Sequence, residues 1–394
     1  MRVFSFFSKR MPSLTIPSHY KSKFRGCIIG AIVADCMAAR FGRAPEPFAL
    51  VSSRLEPASL RNQIPRNGGR FLFPYGVDSL MLFATGRVVA AAMQERSSIR
   101  DHQGLESALL VELRETLSRE NERASSIKWG VGTRHVLENS VSVSEAQLRS
   151  NCGITRALIA GLVDFQNLAE PLCRATHVHE TAIAGSRAIA SAVRTGVIDS
   201  RPMQACDMSD ISAVYERTVD SAIDLASSKP YREEDEFSTE IQDRFKARFG
   251  SDASSQCSVA AAVFSVHRTM HSLPSLDASS REYQERISNL VKSGELKKGK
   301  GVSANTLGNS NRLDTASLFA SLTPSIEQDL PVALATSWAI SLGGDVRSNA
   351  CLAGGLAGAI WGEEGIPEEW RMFSEGVEEG KKLADVLLEI FKNS

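Results

Sequence analysis

Apolar positions recur at three- and four-residue intervals along most of this chain, and that spacing predicts helices. Over 23–40, Phe24, Cys27, Ile28, Ala31, Ile32 and Met37 keep helical register, and Gly26 and Gly30 add a strip for close packing. Asp35 is the sole acid in that segment. A second helix is predicted from Asp78 and Ser79 onward, through Leu80, Met81, Ala84, Val88, Ala91 and Ala92. Further helices are expected near 104–119, 129–138, 155–167, 180–194, 211–226, 259–271 and 376–391, most of them bounded by Ser, Asn or Gly. Alternation of period two never runs beyond four or five residues. The predicted class is therefore all-α.

Between these helices the punctuation changes. Residues 41–70 carry Pro45, Pro47, Pro57, Pro65 and the pair Gly68-Gly69, and read as loop. The stretch 150–156, Ser-Asn-Cys-Gly-Ile-Thr-Arg, reads as a polar turn ahead of a helix, where free backbone N–H groups suit an anion. Residues 196–300 are richer in charge and serine, with a dense run at 229–248 and a basic run at 297–300, too short for a nucleic-acid surface. No composition break isolates this region. It reads as a helical elaboration of one domain spanning 23–394, preceded by a flexible basic tail over 1–22.

The stretch 341–361 concentrates the polar chemistry. Gly343 and Gly344 interrupt an apolar run, Asp345 and Ser348 stand where a helix begins, and the small residues Ala350, Ala353, Gly354, Gly355, Ala357, Gly358 and Ala359 follow. A carboxylate and a hydroxyl at the start of a helix this thin predict a buried polar site. Arg347 places a fixed cation two residues after the carboxylate. Asp78 and Ser79 repeat the device at a second helix start.

Composition narrows the classes. With a net charge of -1 the chain has no basic field for nucleic acid, and no apolar run reaches the ~18 residues of a membrane span. Seven cysteines without a CxxC pair suit a reducing, intracellular setting. The first 23 residues lack acids and carry Arg2, Lys9, Arg10, Lys21 and Lys23; they read as a disordered tail or a mitochondrial presequence. Cytoplasm and nucleus are the other expected compartments, and a monomer the expected state. His177 and His179 stand at i and i+2, a spacing that does not share a helical face for metal binding.

The opening Phe24-Arg-Gly-Cys-Ile-Ile-Gly, the helix start at Asp78, Gly343-Gly344-Asp345, the Ala353–Ala359 small-residue run and Ile366-Pro-Glu-Glu-Trp370 together resemble the ADP-ribosylglycohydrolase family. The likeness runs from about residue 23 to the C-terminus and is weaker in the middle. Thr176-His177 and Thr306-Leu-Gly-Asn are similar to the branch that cleaves serine-linked ADP-ribose and poly(ADP-ribose). The resemblance implies a single orthogonal multi-helix bundle. It also implies two magnesium ions held by a Thr-Asp-Asp-Thr motif and an Asp-Thr-Asp-Thr motif, and a Glu after the first helix.

This chain departs from those motifs. The first reads Gly76-Val77-Asp78-Ser79 and the second Asp345-Val346-Arg347-Ser348, while the family's Glu falls near Gly42, with Glu46 the nearest acid. Val77 removes one negative charge; Arg347 removes another and adds a positive one, so the site becomes three units more positive than the family pattern. Two Mg²⁺ ions beside a fixed cation are repelled by several kcal/mol at an effective dielectric of ~20. The expectation is a site without a cofactor, in which Arg347 replaces a metal and pairs with the remnant ligands Asp78 and Asp345, flanked by Ser79 and Ser348. Two alternatives stand beside it: plain N-caps with Arg347 in solvent, or one weakly held magnesium ion.

For the ligand, the resemblance implies contacts from Asn151, Gly153, His177 and Gly344. Three functions follow. The first is a catalytically depleted relative that binds ADP-ribose, an ADP-ribosylated protein or another protein partner. The second is an active hydrolase using Glu46 or Asp35 as acid or base. The third is a structural protein, since some lens crystallins are similar to this fold.

Overall fold

The computed structural model describes residues 19–46, 48–56, 60, 73–94, 102–119, 133, 151–163, 165–208, 211–227, 240–273 and 330–393. In chain order the α-helices are α1 (His19–Ala38), α2 (Phe48–Leu55), α3 (Val77–Gln94), α4 (His102–Arg119), α5 (Ala157–Val163), α6 (Phe165–Arg174) and α7 (Glu180–Asp199), followed by α8 (Ala213–Ser227), α9 (Glu240–Phe249), α10 (Ser255–Ser272), α11 (Pro331–Ser341), α12 (Val346–Trp361), α13 (Glu368–Phe373) and α14 (Val377–Asn393). Among the described residues there is no strand, only one isolated parallel bridge between Phe73 and Ser374. The all-α class predicted from periodicity holds.

Two helices form the axis. α1 is buried from Phe24 to Ala38 apart from Arg25, and α12 is buried from Ser348 to Ile360. They meet backbone to backbone. A Cβ on Gly354 would press on the Gly30 carbonyl, and one on Gly358 on the Gly26 carbonyl and the Cys27 amide. The close-packing strip foreseen at Gly26 and Gly30 thus finds its partner in the small residues of α12, where dispersion contacts are dense. Around this pair lie α11, α10, α7, α14 and α3. α10, inside the 196–300 region, is core over most of its length.

Three sequence expectations change, the first being that the tail expected over 1–22 gives way to α1 at His19. The proline-marked 41–70 stretch contains α2, because Phe48, Val51 and Leu55 recur on one helical face and bury against α11, with the Phe48 ring stacked on Trp338 at 4.1 Å. The helix expected over 155–167 is instead α5 with α6 starting at Phe165. Residues 1–18, all but Thr133 of the helix expected near 129–138, the basic run at 297–300 and Thr306 lie outside the described residues.

Candidate functional site

The polar residues gather where the N-termini of α3 and α12 meet the C-terminal half of α1. α11 must reverse into α12 within a few residues, and Gly343 and Gly344 both adopt φ of 74° to do so. That backbone suits glycine alone, and the space does too. A Cβ on Gly343 would lie 2.7 Å from the Arg43 carbonyl, and one on Gly344 3.0 Å from the Ser251 carbonyl. The Gly344 amide donates to the Arg43 carbonyl at 2.7 Å. Gly344, expected at the ligand, is therefore clamped between two loops and delivers Asp345 to its place.

Asp345 sits at the N-cap of α12 but caps none of its N–H groups. Its Oδ2 instead accepts from Asn151 Nδ2 at 2.9 Å and from Ser348 Oγ at 3.1 Å. Ser348 Oγ also lies 3.0 Å from Asp78 Oδ2. One hydroxyl proton serves both carboxyls, so Asp78 and Asp345 are linked through Ser348. Burial, with the nearby Asp35 and Asp345 charges, pushes Asp78 up to about 8 against the opposing pull of Ser348 and Arg347.

Arg347 is bound differently from expectation. Its Nε donates to Asp35 Oδ1 at 2.7 Å. The partners expected from the sequence are Asp78 and Asp345; the hydrogen-bonded partner is instead the lone acid of α1, while Asp345 is held by Asn151 and Ser348. Nor does Arg347 point away into solvent: its side chain is 37% exposed and Nη2 is buried without a hydrogen bond. Asp35 collects three further bonds on Oδ2, from the Gly76 amide at 2.7 Å, the Ser79 amide at 3.3 Å and Ser79 Oγ at 2.7 Å. Two of these are N–H groups at the start of α3, so Asp35 caps that helix from outside.

The other candidates face inward or elsewhere. Asn151 is buried in a 3₁₀ turn and bonds Ser258 Oγ at 2.8 Å as well as Asp345. Gly153 lies against the His177 ring, where a Cβ would sit 3.2 Å from Nδ1. His177 is wholly buried, with Nδ1 2.7 Å from Thr176 Oγ1, which accepts from Arg156. Burial and the Arg156 charge push His177 down to about 3. Glu46 pairs with Arg54 at 2.5 Å on a partly exposed loop, its amide bonded to the Ser341 carbonyl. Gly42 is exposed, and a side chain there would meet nothing within 4 Å. The unforeseen residue is Asp35 as counter-ion; a single acid in an apolar helix and a single cation at a helix start were its signals.

The donor set departs from the two-magnesium motifs that the resemblance implies. The guanidinium lies over Gly76, where the family carries a hydroxyl, and Ser79 Oγ is committed to Asp35. Among the described residues no group of three or more His, Cys, Asp or Glu side chains is placed to hold a metal. Among the described residues, too, no helix is long and apolar enough to cross a membrane.

Comparison with known proteins agrees with the motifs. A family model described as ADP-ribosylglycohydrolase matches residues 17–394. ADP-ribosylhydrolase ARH3 of Bos taurus is 46% identical over 57 residues, 14% of this chain and 16% of that protein. The Homo sapiens protein of the same name is 44% identical over 57 residues, again 14% and 16%. The chain thus covers about one-sixth of the length of these curated relatives. A solved structure titled "ADP-ribosylglycohydrolase-related protein complex" superposes with a TM-score of 0.50 at 15% identity, over 95% of this chain and 100% of that one. That likeness is one of fold.

Proposed function

The chain belongs to the ADP-ribosylglycohydrolase family, and from that premise we propose that it is a hydrolytically depleted member that binds ADP-ribose, or a protein carrying it, without magnesium. One observation carries the reading: the Arg347 guanidinium, fixed to Asp35, lies among the surviving residues of the two metal motifs.

Hydrolysis of a ribosyl linkage needs a group that delivers a proton to the leaving atom or activates water. Gly42 has no side chain for it, and Glu46 is tied to Arg54. Asp35 is fully buried with four donors converging on it. What persists is the scaffold: two helix N-termini meeting at Asp78, Ser348 and Asp345, with the 151–153 turn held against them by Asn151. The N-terminus of α12, which Asp345 leaves uncapped, favours the anionic diphosphate of such a ligand.

A second reading has its own support. Asn151, Gly153, His177 and Gly344, the contacts implied by the family, are all engaged with the protein itself. That favours a structural or protein-binding role on the same scaffold. Calorimetric titration with ADP-ribose, in EDTA and in Mg²⁺, separates the readings. Equal affinity in both buffers supports the depleted binder, and no heat in either supports the structural role. Binding only in Mg²⁺, or turnover of a serine-ADP-ribosylated peptide, overturns the proposal in favour of an active hydrolase.

A further inference from the structure

Position 76 looks like an independent loss in the sequence, a threonine reduced to glycine one residue before Val77. Geometry ties it to a residue 271 positions away. A Cβ on Gly76 would lie 2.9 Å from Arg347 Nε and closer still to Cζ and Nη2. Its nearest neighbours are thus all atoms of one guanidinium. Backbone conformation gives no separate reason for glycine here, because Gly76 is absent from the positive-φ residues, unlike Gly343 and Gly344. Its amide donates to Asp35 Oδ2, a bond any residue but proline would keep.

We infer that Gly76 and Arg347 are a matched pair, in which the missing side chain at 76 is the seat that lets the Arg347 guanidinium reach Asp35. Gly76 is a positioning residue acting through Arg347. The guanidinium fills the place a Cβ at 76 would take, Nη2 is buried, and Nε donates to the α1 carboxylate. One internal cation thereby joins α1, the start of α3 and the start of α12. The two replacements in the sequence are one structural event, and either alone is disfavoured. This inference is independent of whether the site binds ADP-ribose.

A double-variant cycle in the full chain tests it, using Gly76→Ala, Arg347→Ala and the combination, read by urea unfolding. Gly76→Ala alone is expected to lower the folded-to-unfolded ratio about tenfold or more, since the added methyl collides with a side chain already held by Asp35. In the Arg347→Ala background the three atoms nearest that methyl are gone. There it is expected to be neutral or to raise the ratio about two- to fivefold, the usual effect of removing a glycine from the unfolded chain. If Gly76→Ala proves insoluble, a folded double variant supports the pair and an equally insoluble one overturns it. Equal effects in the two backgrounds also overturn it. A second readout belongs to the seat itself: the Arg347 Nε–H resonance, assigned by its loss in Arg347→Lys, is protected from exchange in the wild type and loses protection in folded Gly76→Ala. Unchanged protection in that variant contradicts the inference.

Discussion

His177 divides the binding account from a purely internal role, and acid measures it. The ring is fully buried, its Nδ1 faces Thr176 Oγ1, and that hydroxyl already accepts from Arg156. A proton on His177 would place a second buried cation beside Arg156, which is why burial and that charge lower the ring from its usual 6.5 to about 3. Below pH 6.5 the unfolded chain binds a proton that the folded protein refuses, so stability is lost as pH falls. Between the unfolded value and pH 5 the loss is about 2 kcal/mol, at 1.36 kcal/mol per unit. His177→Gln removes this titration and keeps an acceptor for Thr176. Urea unfolding of both proteins at pH 7 and pH 5 should show the gap between them shift by about 2 kcal/mol in favour of the variant at pH 5. A gap that stays constant would mean a ring titrating normally and in reach of water, which is what a direct ligand contact requires.

The central packing and the Asn151 link give two more expectations. Gly358→Ala should cost about 3 kcal/mol in denaturant unfolding, because its methyl meets the Gly26 carbonyl and Cys27 amide, backbone atoms that cannot turn aside; a cost under about 0.5 kcal/mol would contradict the contact. Asn151→Ala should cost about 2 kcal/mol, removing the buried donor that Ser258 and Asp345 share while the backbone amide at 151 keeps the Ala253 carbonyl. If the variant instead matched wild-type stability but lost ADP-ribose, Asn151 would face the ligand rather than the core.

The helices were legible wherever apolar residues kept a period, and α1 and α12 even showed their glycine strips, since tight backbone contact leaves a mark in composition. α2 was hidden because flanking prolines dominate a short segment, while the burial of Phe48 against Trp338 is a long-range event. At the site, local reading found Asp78, Ser79, Asp345, Arg347 and Ser348 because each occupies a helix start. It missed which carboxylate holds Arg347. Asp35 and Arg347 are 312 residues apart, and their pairing depends on three helix ends converging, which no local spacing records. Gly76 shows the same limit: read alone it is a lost hydroxyl, and only beside the guanidinium does its missing side chain have a purpose.

Magnesium itself tests the claim that a guanidinium holds the place of the metal. The melting temperature of the wild-type protein, followed from EDTA to about 10 mM MgCl₂, is the direct measurement, since any ion that binds the folded state alone raises it by mass action. The internal cation predicts no change in the wild type. A saturable rise of several degrees would mean that the site still accepts magnesium beside Arg347, and the account would be wrong at its centre.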